Sequence, residues 1–287
     1  MTKVSMDLVK ELRDKTQIGM MDCKKALEEA GGDIEKAIEL LRKKGAAVAA
    51  KRADNATDNG RIESYLMPDF KQGALVEIAC ETDFSANTGT MKDLVLHAAQ
   101  MAAETQVSDE AVLLEKNKKL KDHLDEVLAK ISEKIHISRI AAFKVAEHGL
   151  VNAYIHPGST IGVIIELATQ VDPARDIEAL KTIARDICMH IAVTKPLFVS
   201  PENADPATLE KERGIAMEQL KDTKKPANIL EKIVEGKINK YLEEVCLVRQ
   251  RFIKNEDLTI EQYLKETSTK FNNPMSIKRF VRFAINR

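Results

Sequence analysis

The chain has 287 residues, 44% of them hydrophobic and 31% charged, with a net charge of −1. That is apolar material enough for a buried core, over a length that suggests about two domains. The balanced charge argues against a protein held to nucleic acid mainly by phosphate neutralisation, and the 4% aromatic content without Trp argues against a stacking platform for single strands.

Cys23, Cys80, Cys188 and Cys246 are far apart and form no C-x-x-C pair, which predicts reduced, buried thiols. The amino-terminal run MTKVSMDLVKELRDKTQ is charged and amphipathic, unlike a signal peptide, and no apolar run has the length of a membrane span. The expectation is a soluble, cytoplasmic protein.

Residues 1–45 predict three short helices. Val4, Leu8 and Leu12 share one helical face, and Thr16 to Gly19 break it. Ala26, Leu27 and Ala30 face inward on the second helix. Gly31 and Gly32 stop that helix, Asp33 caps the third, and Ile34, Ala37, Ile38 and Leu41 form its stripe. So small a bundle has a thin core. Met20 and Met21, expected in the loop between the first two helices, either fill it or form an adaptable contact surface. The pattern of Gly19, Met20, Ala26, Leu27, Gly31, Gly32 and Asp33 resembles a ubiquitin-associated three-helix domain, which by itself implies a ubiquitin binder. With MMDCKKAL in the second helix, the same run is also similar to the amino-terminal domain of the bacterial translation elongation factor Ts family. Residues 46–59 then read as a helical tail running into a linker.

An internal repeat follows. GRIESYLMPDFKQGALVEIA from Gly60 and GLVNAYIHPGSTIGVIIELA from Gly149 align without gaps at an offset of 89 (149 − 60). Gly60, Tyr65, Pro68, Gly73, Glu77 and Ala79 fall on Gly149, Tyr154, Pro157, Gly162, Glu166 and Ala168. Each copy predicts a β-hairpin followed by a helix, and the pair predicts two homologous α+β subdomains. The apolar strand of the first copy ends at Thr82, Asp83 and Phe84, with Asn87 or Thr88 as N-cap of the next helix. Asp83 falls opposite Asp172 but Phe84 opposite Pro173, so the aromatic is special to the first copy. Phe84 either folds back on its own domain or is presented to a partner by a loop.

Residues 108–136 read as a charged helix with Val112, Leu113, Leu120, Leu124, Val127, Leu128 and Ile131 inward, and HISRIAAFKVA as a strand. Residues 206–246 give two helical patterns split by KDTKKPAN. Leu209, Ile215, Met217 and Leu220 are expected to face Ile229, Ile233, Ile238, Tyr241 and Leu242 in an antiparallel helical hairpin. That hairpin either protrudes to bind another copy or a partner, or packs on the core. The tail gives a short helix over residues 259–266 and a basic, apolar edge strand with solvated charges.

Phosphate-binding glycine loops and the zinc-protease motif are absent from the sequence. His97 and His190 lie among apolar residues as core histidines. Glu77 and Glu166 are equivalents in separate hairpins, not a catalytic pair. The reading is a binding protein, with no cofactor and no metal.

Along the whole chain, VSMDLVKELRDKT, GMMDCKKALEEAGGDIEKAIELLRKKG, ETDF, YIHPGSTIGVIIEL, CMHIAVTKPLFVSPE and ILEKIVEGKINKY resemble the elongation factor Ts family in order. The resemblance implies a guanine-nucleotide exchange factor, not an enzyme, that binds elongation factor Tu in its GDP form. It implies that Thr82, Asp83 and Phe84 disturb the partner's magnesium and phosphate site. It gives His156, with the loop at Ser132, a role on the partner's phosphate-binding backbone. Met20, Met21, Lys10 and Arg13 are implied as contacts of the amino-terminal domain. The working form is left open between one factor per GTPase and a homodimer or 2:2 assembly, and neither membrane nor direct nucleic-acid binding is expected. The chain departs from the family in having Ser85 where Val is usual, and ISEK where I-G-E-N is common.

The expected fold is α+β with a duplicated core. Its parts are a three-helix domain and linker over 1–54, core subdomains over 55–140 and over 141–199 with about 247–258, a helical hairpin over 200–246 and a C-terminal module over 259–287. A ubiquitin-associated adaptor would explain residues 1–45 alone. An enzyme with a site between the repeats lacks a converging acid and base.

Overall fold

The computed structural model describes residues 4–16, 18–220 and 226–285. Contacts divide the chain into two compact units, one of residues 1–143, 155–162 and 283–287, the other of residues 144–154 and 163–282.

The first unit begins with α1 (Met6–Thr16), α2 (Met20–Glu29) and α3 (Ile34–Lys51). Their shared core is Val9, Leu12, Ile18, Cys23, Ala26, Leu27, Ala37 and Leu41, the helical stripes of the sequence. Gly31 and Gly32 take positive φ, and the Gly32 N–H donates to the Leu27 carbonyl at 2.8 Å, which closes α2. α3 continues through Gly45 into the helical tail. A Cβ on Gly45 would lie 2.5 Å from the Cα of Ala129, so this glycine allows a close backbone approach.

β1 (Asn59–Leu66) and β2 (Gln72–Cys80) pair antiparallel, with Gly60 opposite Ala79 and Leu66 opposite Gly73. A single turn, α4 (Asp83–Ala86), follows, then α5 (Gly89–Thr105), α6 (Glu110–Lys116), α7 (Lys118–Ile131) and β3 (Ile135–Lys144). The sheet order is β1-β2-β3, and α5, α6 and α7 bury Met91, Leu94, Ala98, Leu113, Leu120 and Val127 with Val76 and Ile78. The one charged helix expected over 108–136 is two, divided at Asn117, whose ψ of 79° is not helical. On α6 Leu113 is buried and its neighbour Val112, about 100° around the helix, is exposed instead of inward.

β4 (Gly149–Ile155), β5 (Ile161–Thr169) and α8 (Ile177–Thr194) repeat the hairpin and helix. After them come α9 (Pro206–Glu218), α10 (Ala227–Val245), β6 (Arg251–Phe252), β7 (Asn255–Thr259), α11 (Ile260–Phe271) and β8 (Met275–Ala284), the last joining a sheet of order β4-β5-β8. α9 and α10 pack through Ala216, Val234, Ile238 and Leu242, with Leu209 and Leu220 beside them. Ile215, Met217 and Ile229, expected at this interface, are exposed. Residues 215–217 are consecutive and a helix turns only one of them inward. Residues 221–225 of the intervening segment lie outside the described residues.

The repeat extends to atomic detail. A Cβ on Gly60 would strike the Ile78 carbonyl oxygen, and one on Gly149 that of Leu167, again 89 residues on (167 − 78). In the first turn the Met67 N–H donates to Gln72 O, and in the second the His156 N–H to Ile161 O, both at 2.9 Å. Phe70 and Ser159, 89 residues apart (159 − 70), both take positive φ. A third strand is duplicated at a different offset, 140 (279 − 139). Arg139 of β3 pairs with Glu77 of β2, and Arg279 of β8 pairs with Glu166 of β5, the latter at 2.7 Å. Arg139 also donates to Ala284 O at 2.9 Å and lies over the Phe283 ring. Arg282 donates to Ala192 O at 3.1 Å, so the basic charges of this strand, expected in solvent, are partly bonded. Removing one partner of such half-buried pairs leaves a charge without its counter-ion, which costs more than the pair itself contributes.

In the second unit, His190 is fully buried. One ring nitrogen lies 2.9 Å from Gln250 Oε1, and the other accepts the Ile253 N–H at 3.4 Å, an arrangement that suits the neutral ring. In the first unit, His97 and His123 face each other with Nδ1 atoms 3.1 Å apart.

A Gly45→Val substitution is expected to destabilise the first unit by about 1–3 kcal/mol through overpacking, read by urea unfolding. Burial lowers the pKa of both His97 and His190 below the ordinary 6.5, with His123 adding repulsion at His97. Groups whose folded pKa is depressed below the unfolded value favour the neutral ring in the fold. Their stability is present above the unfolded pKa and is lost as pH falls through it. The thermal midpoint is therefore expected to hold between about pH 8 and 7 and to fall below about 6.5, less steeply in His97→Gln.

Candidate functional site

β2 is buried almost throughout and ends at Cys80, where the backbone leaves the sheet. Thr82 is extended (φ −125°, ψ 151°), and its hydroxyl accepts the Ser85 N–H at 3.2 Å, making it the N-cap of the α4 turn. The polar loop expected here is thus one turn of helix. Thr88 caps the next helix, accepting the Met91 N–H at 3.2 Å. Of the two residues offered as that cap, the structure takes Thr88.

Within the turn, Ser85 and Ala86 point inward and are buried, while Thr82, Asp83 and Phe84 are exposed. Phe84 keeps 79% of its surface in solvent, the largest exposure among the exposed large hydrophobic residues. A benzyl group left bare on an ordered turn loses its apolar burial, about 1.5–3 kcal/mol. Of the two readings of this side chain, folding back on its own domain does not occur.

Ser132 is brought to the same corner. It ends α7 in the left-handed conformation (φ 58°), with its N–H on Leu128 O at 3.0 Å. The next residue, Glu133, accepts from the Thr82 hydroxyl at 2.8 Å and from the Ser85 hydroxyl at 2.6 Å. Ser85, the departure from the family pattern, is therefore a buried donor to this carboxylate. No sequence signal singles out Glu133: it is 51 residues from Thr82 (133 − 82), and only its place beside Ser132 in ISEK hinted at it.

His156 stands exposed at the turn of the second hairpin, in the part of that hairpin belonging to the first unit. Ser159 of the same turn donates to Glu63 at 3.0 Å, and its carbonyl accepts the Ile62 N–H at 2.8 Å, tying the turn to β1. On the helical region, Lys10 and Arg13 are exposed on α1. The two methionines, expected in a loop, form the first turn of α2 and separate there: Met20 packs on the helical core and Met21 is 65% exposed. Among the described residues no group of three or more His, Cys, Asp or Glu is placed to hold a metal ion.

These features define an α+β protein with a helical amino-terminal region, a sheet-and-helix unit built twice, and one uncovered aromatic at a sheet corner. The family model described as Elongation factor TS matches residues 81–287, beginning one residue before Thr82. The elongation factor Ts of Clostridium botulinum (strain 657 / Type Ba4) is 41% identical over 286 residues, covering 98% of this chain and 92% of that protein. The elongation factor Ts of Clostridium kluyveri (strain NBRC 12016) is 40% identical over the same shares. The chain belongs to the bacterial elongation factor Ts family, and so is a translation elongation factor of protein biosynthesis.

Thr82→Ala removes the cap of a four-residue turn and is expected to cost about 1 kcal/mol in urea unfolding.

Proposed function

We propose that the chain is a guanine-nucleotide exchange factor that binds elongation factor Tu·GDP and promotes GDP release by disturbing the magnesium and phosphate site of that GTPase. The observation that carries this reading is Phe84, exposed and held on a capped turn beside the exposed carboxylate of Asp83.

The mechanism follows the family resemblance. The benzyl group wedges among side chains that orient the partner's magnesium ion and its waters, and Asp83 opposes the phosphates. Loss of the metal removes a large positive charge that holds the diphosphate. His156 and the Ser132 loop press on the phosphate-binding backbone. Met21, with Met20, Lys10 and Arg13, grips a helix of the partner's nucleotide domain. The α9–α10 pair serves partner contact or self-association. The domain limits 1–54, 55–140, 141–199 with about 247–258, 200–246 and 259–287 belong to this reading. So does a cytoplasmic location; among the described residues no helix is long and apolar enough to cross a membrane.

Exchange of this kind is a coupling between two ligands and breaks no bond. If the factor weakens nucleotide binding, nucleotide weakens factor binding by the same amount.

Phe84→Ala is expected to slow release of labelled GDP from elongation factor Tu about 30-fold or more, the effect of losing a contact worth about 2 kcal/mol. Because the ring is exposed, unfolding free energy should change by no more than about 0.5 kcal/mol. Unchanged GDP release from a folded variant would remove the wedge.

A further inference from the structure

Phe84 sits on a helix of only four residues, Asp83–Ala86. One turn cannot hold itself, because nucleation fixes several dihedrals for a single hydrogen bond. Something outside the turn must fix it, and the bonds identify what does.

Both carboxylate oxygens of Glu133 are spent on this turn. Oε1 accepts from Thr82 Oγ1 at 2.8 Å and Ser85 Oγ at 2.6 Å, and Oε2 accepts the Thr82 N–H at 3.2 Å. Thr82 Oγ1 in turn accepts the Ser85 N–H, so donor, hydroxyl and carboxylate form a chain in which each bond polarises the next. The arrangement is reciprocal. Glu81, one residue before Thr82, accepts the N–H of Lys134, one residue after Glu133, at 2.6 Å. The other Glu81 oxygen accepts from Arg52 at 2.9 Å and Asn55 at 2.8 Å, and these bonds lower the pKa of Glu81, the Lys134 bond most of all. Two segments 51 residues apart (133 − 82) are thus stitched by exchanged carboxylates, and the segment after α3 is tied to the same knot.

We propose that Glu133 is a positioning residue for exchange: its carboxylate sets the direction in which Asp83 and Phe84 project, while touching neither nucleotide nor metal itself. This rests on the exchange reading above. The carboxylate form is required, since it meets three donors and offers none. An amide would keep one oxygen for the two hydroxyls but turn an N–H₂ toward the Thr82 N–H.

The test is a double-mutant cycle on release of labelled GDP from elongation factor Tu, with folding of each variant followed by thermal unfolding. Glu133→Ala is expected to slow release about tenfold, with Glu133→Gln intermediate. In a Phe84→Ala background the Glu133→Ala change should add nothing, because the side chain it aims is gone. A general structural role would instead multiply with Phe84→Ala. Wild-type release by folded Glu133→Ala, or multiplying effects, overturns the proposal. If Glu133→Ala fails to fold, the isosteric Glu133→Gln decides by the same two criteria. Phe84→Ala releasing GDP at the wild-type rate is a separate pattern, and it sinks the wedge reading together with this one.

Discussion

The corner of the first unit depends on an exchange of charge-assisted hydrogen bonds between the end of β2 and the end of α7. Glu81 takes the N–H of Lys134, and Glu133 takes the N–H and hydroxyl of Thr82. Bonds to ionised acceptors are stronger than neutral ones. Here they hold a backbone that has left its sheet and not yet entered a helix. Without them the chain between Cys80 and Thr88 would rely on one short turn. With them, an aromatic ring is held on the surface with 79% of its area in water.

The rest of the first unit supports that corner. The sheet supplies β2 as a buried rod, since eight of its nine residues are buried and every deviation at its end is constrained by packing. α7 is held by the helical amino-terminal region through the Gly45–Ala129 approach and the Arg42 pairs to Asp122 and Glu126. Rigid elements on both sides keep the turn that carries the ring ordered in the free chain.

Much of this was legible in the sequence, and the failures have physical causes. The hairpins, a cap at Asn87 or Thr88 and the uniqueness of Phe84 follow from local chemistry and a constant offset of 89, and the structure selects Thr88. The duplicated Arg139–Glu77 and Arg279–Glu166 pairs were missed because α9, α10 and α11 separate β5 from β8 and change the spacing to 140. Glu133 was missed because a contact across 51 residues leaves no periodicity. Met20 and Met21 could not be told apart, since neighbours on a helix lie about 100° apart and a thin bundle does not fix its phase in advance. The same ambiguity misplaced Ile215 and Met217 on α9.

The two matched hairpin turns close through bonds between main-chain groups: Met67 to Gln72 in one, His156 to Ile161 in the other. A loop whose shape is written in the backbone can be built again with different side chains at its tip. One copy carries Met67, Asp69 and Phe70 at its tip and the other His156 and Ser159; Asp69 accepts the Lys71 N–H at 3.0 Å in the first, and Ser159 donates to Glu63 at 3.0 Å in the second. Duplication gave this chain two interchangeable mounts, and the difference between them is a matter of what each has been fitted with.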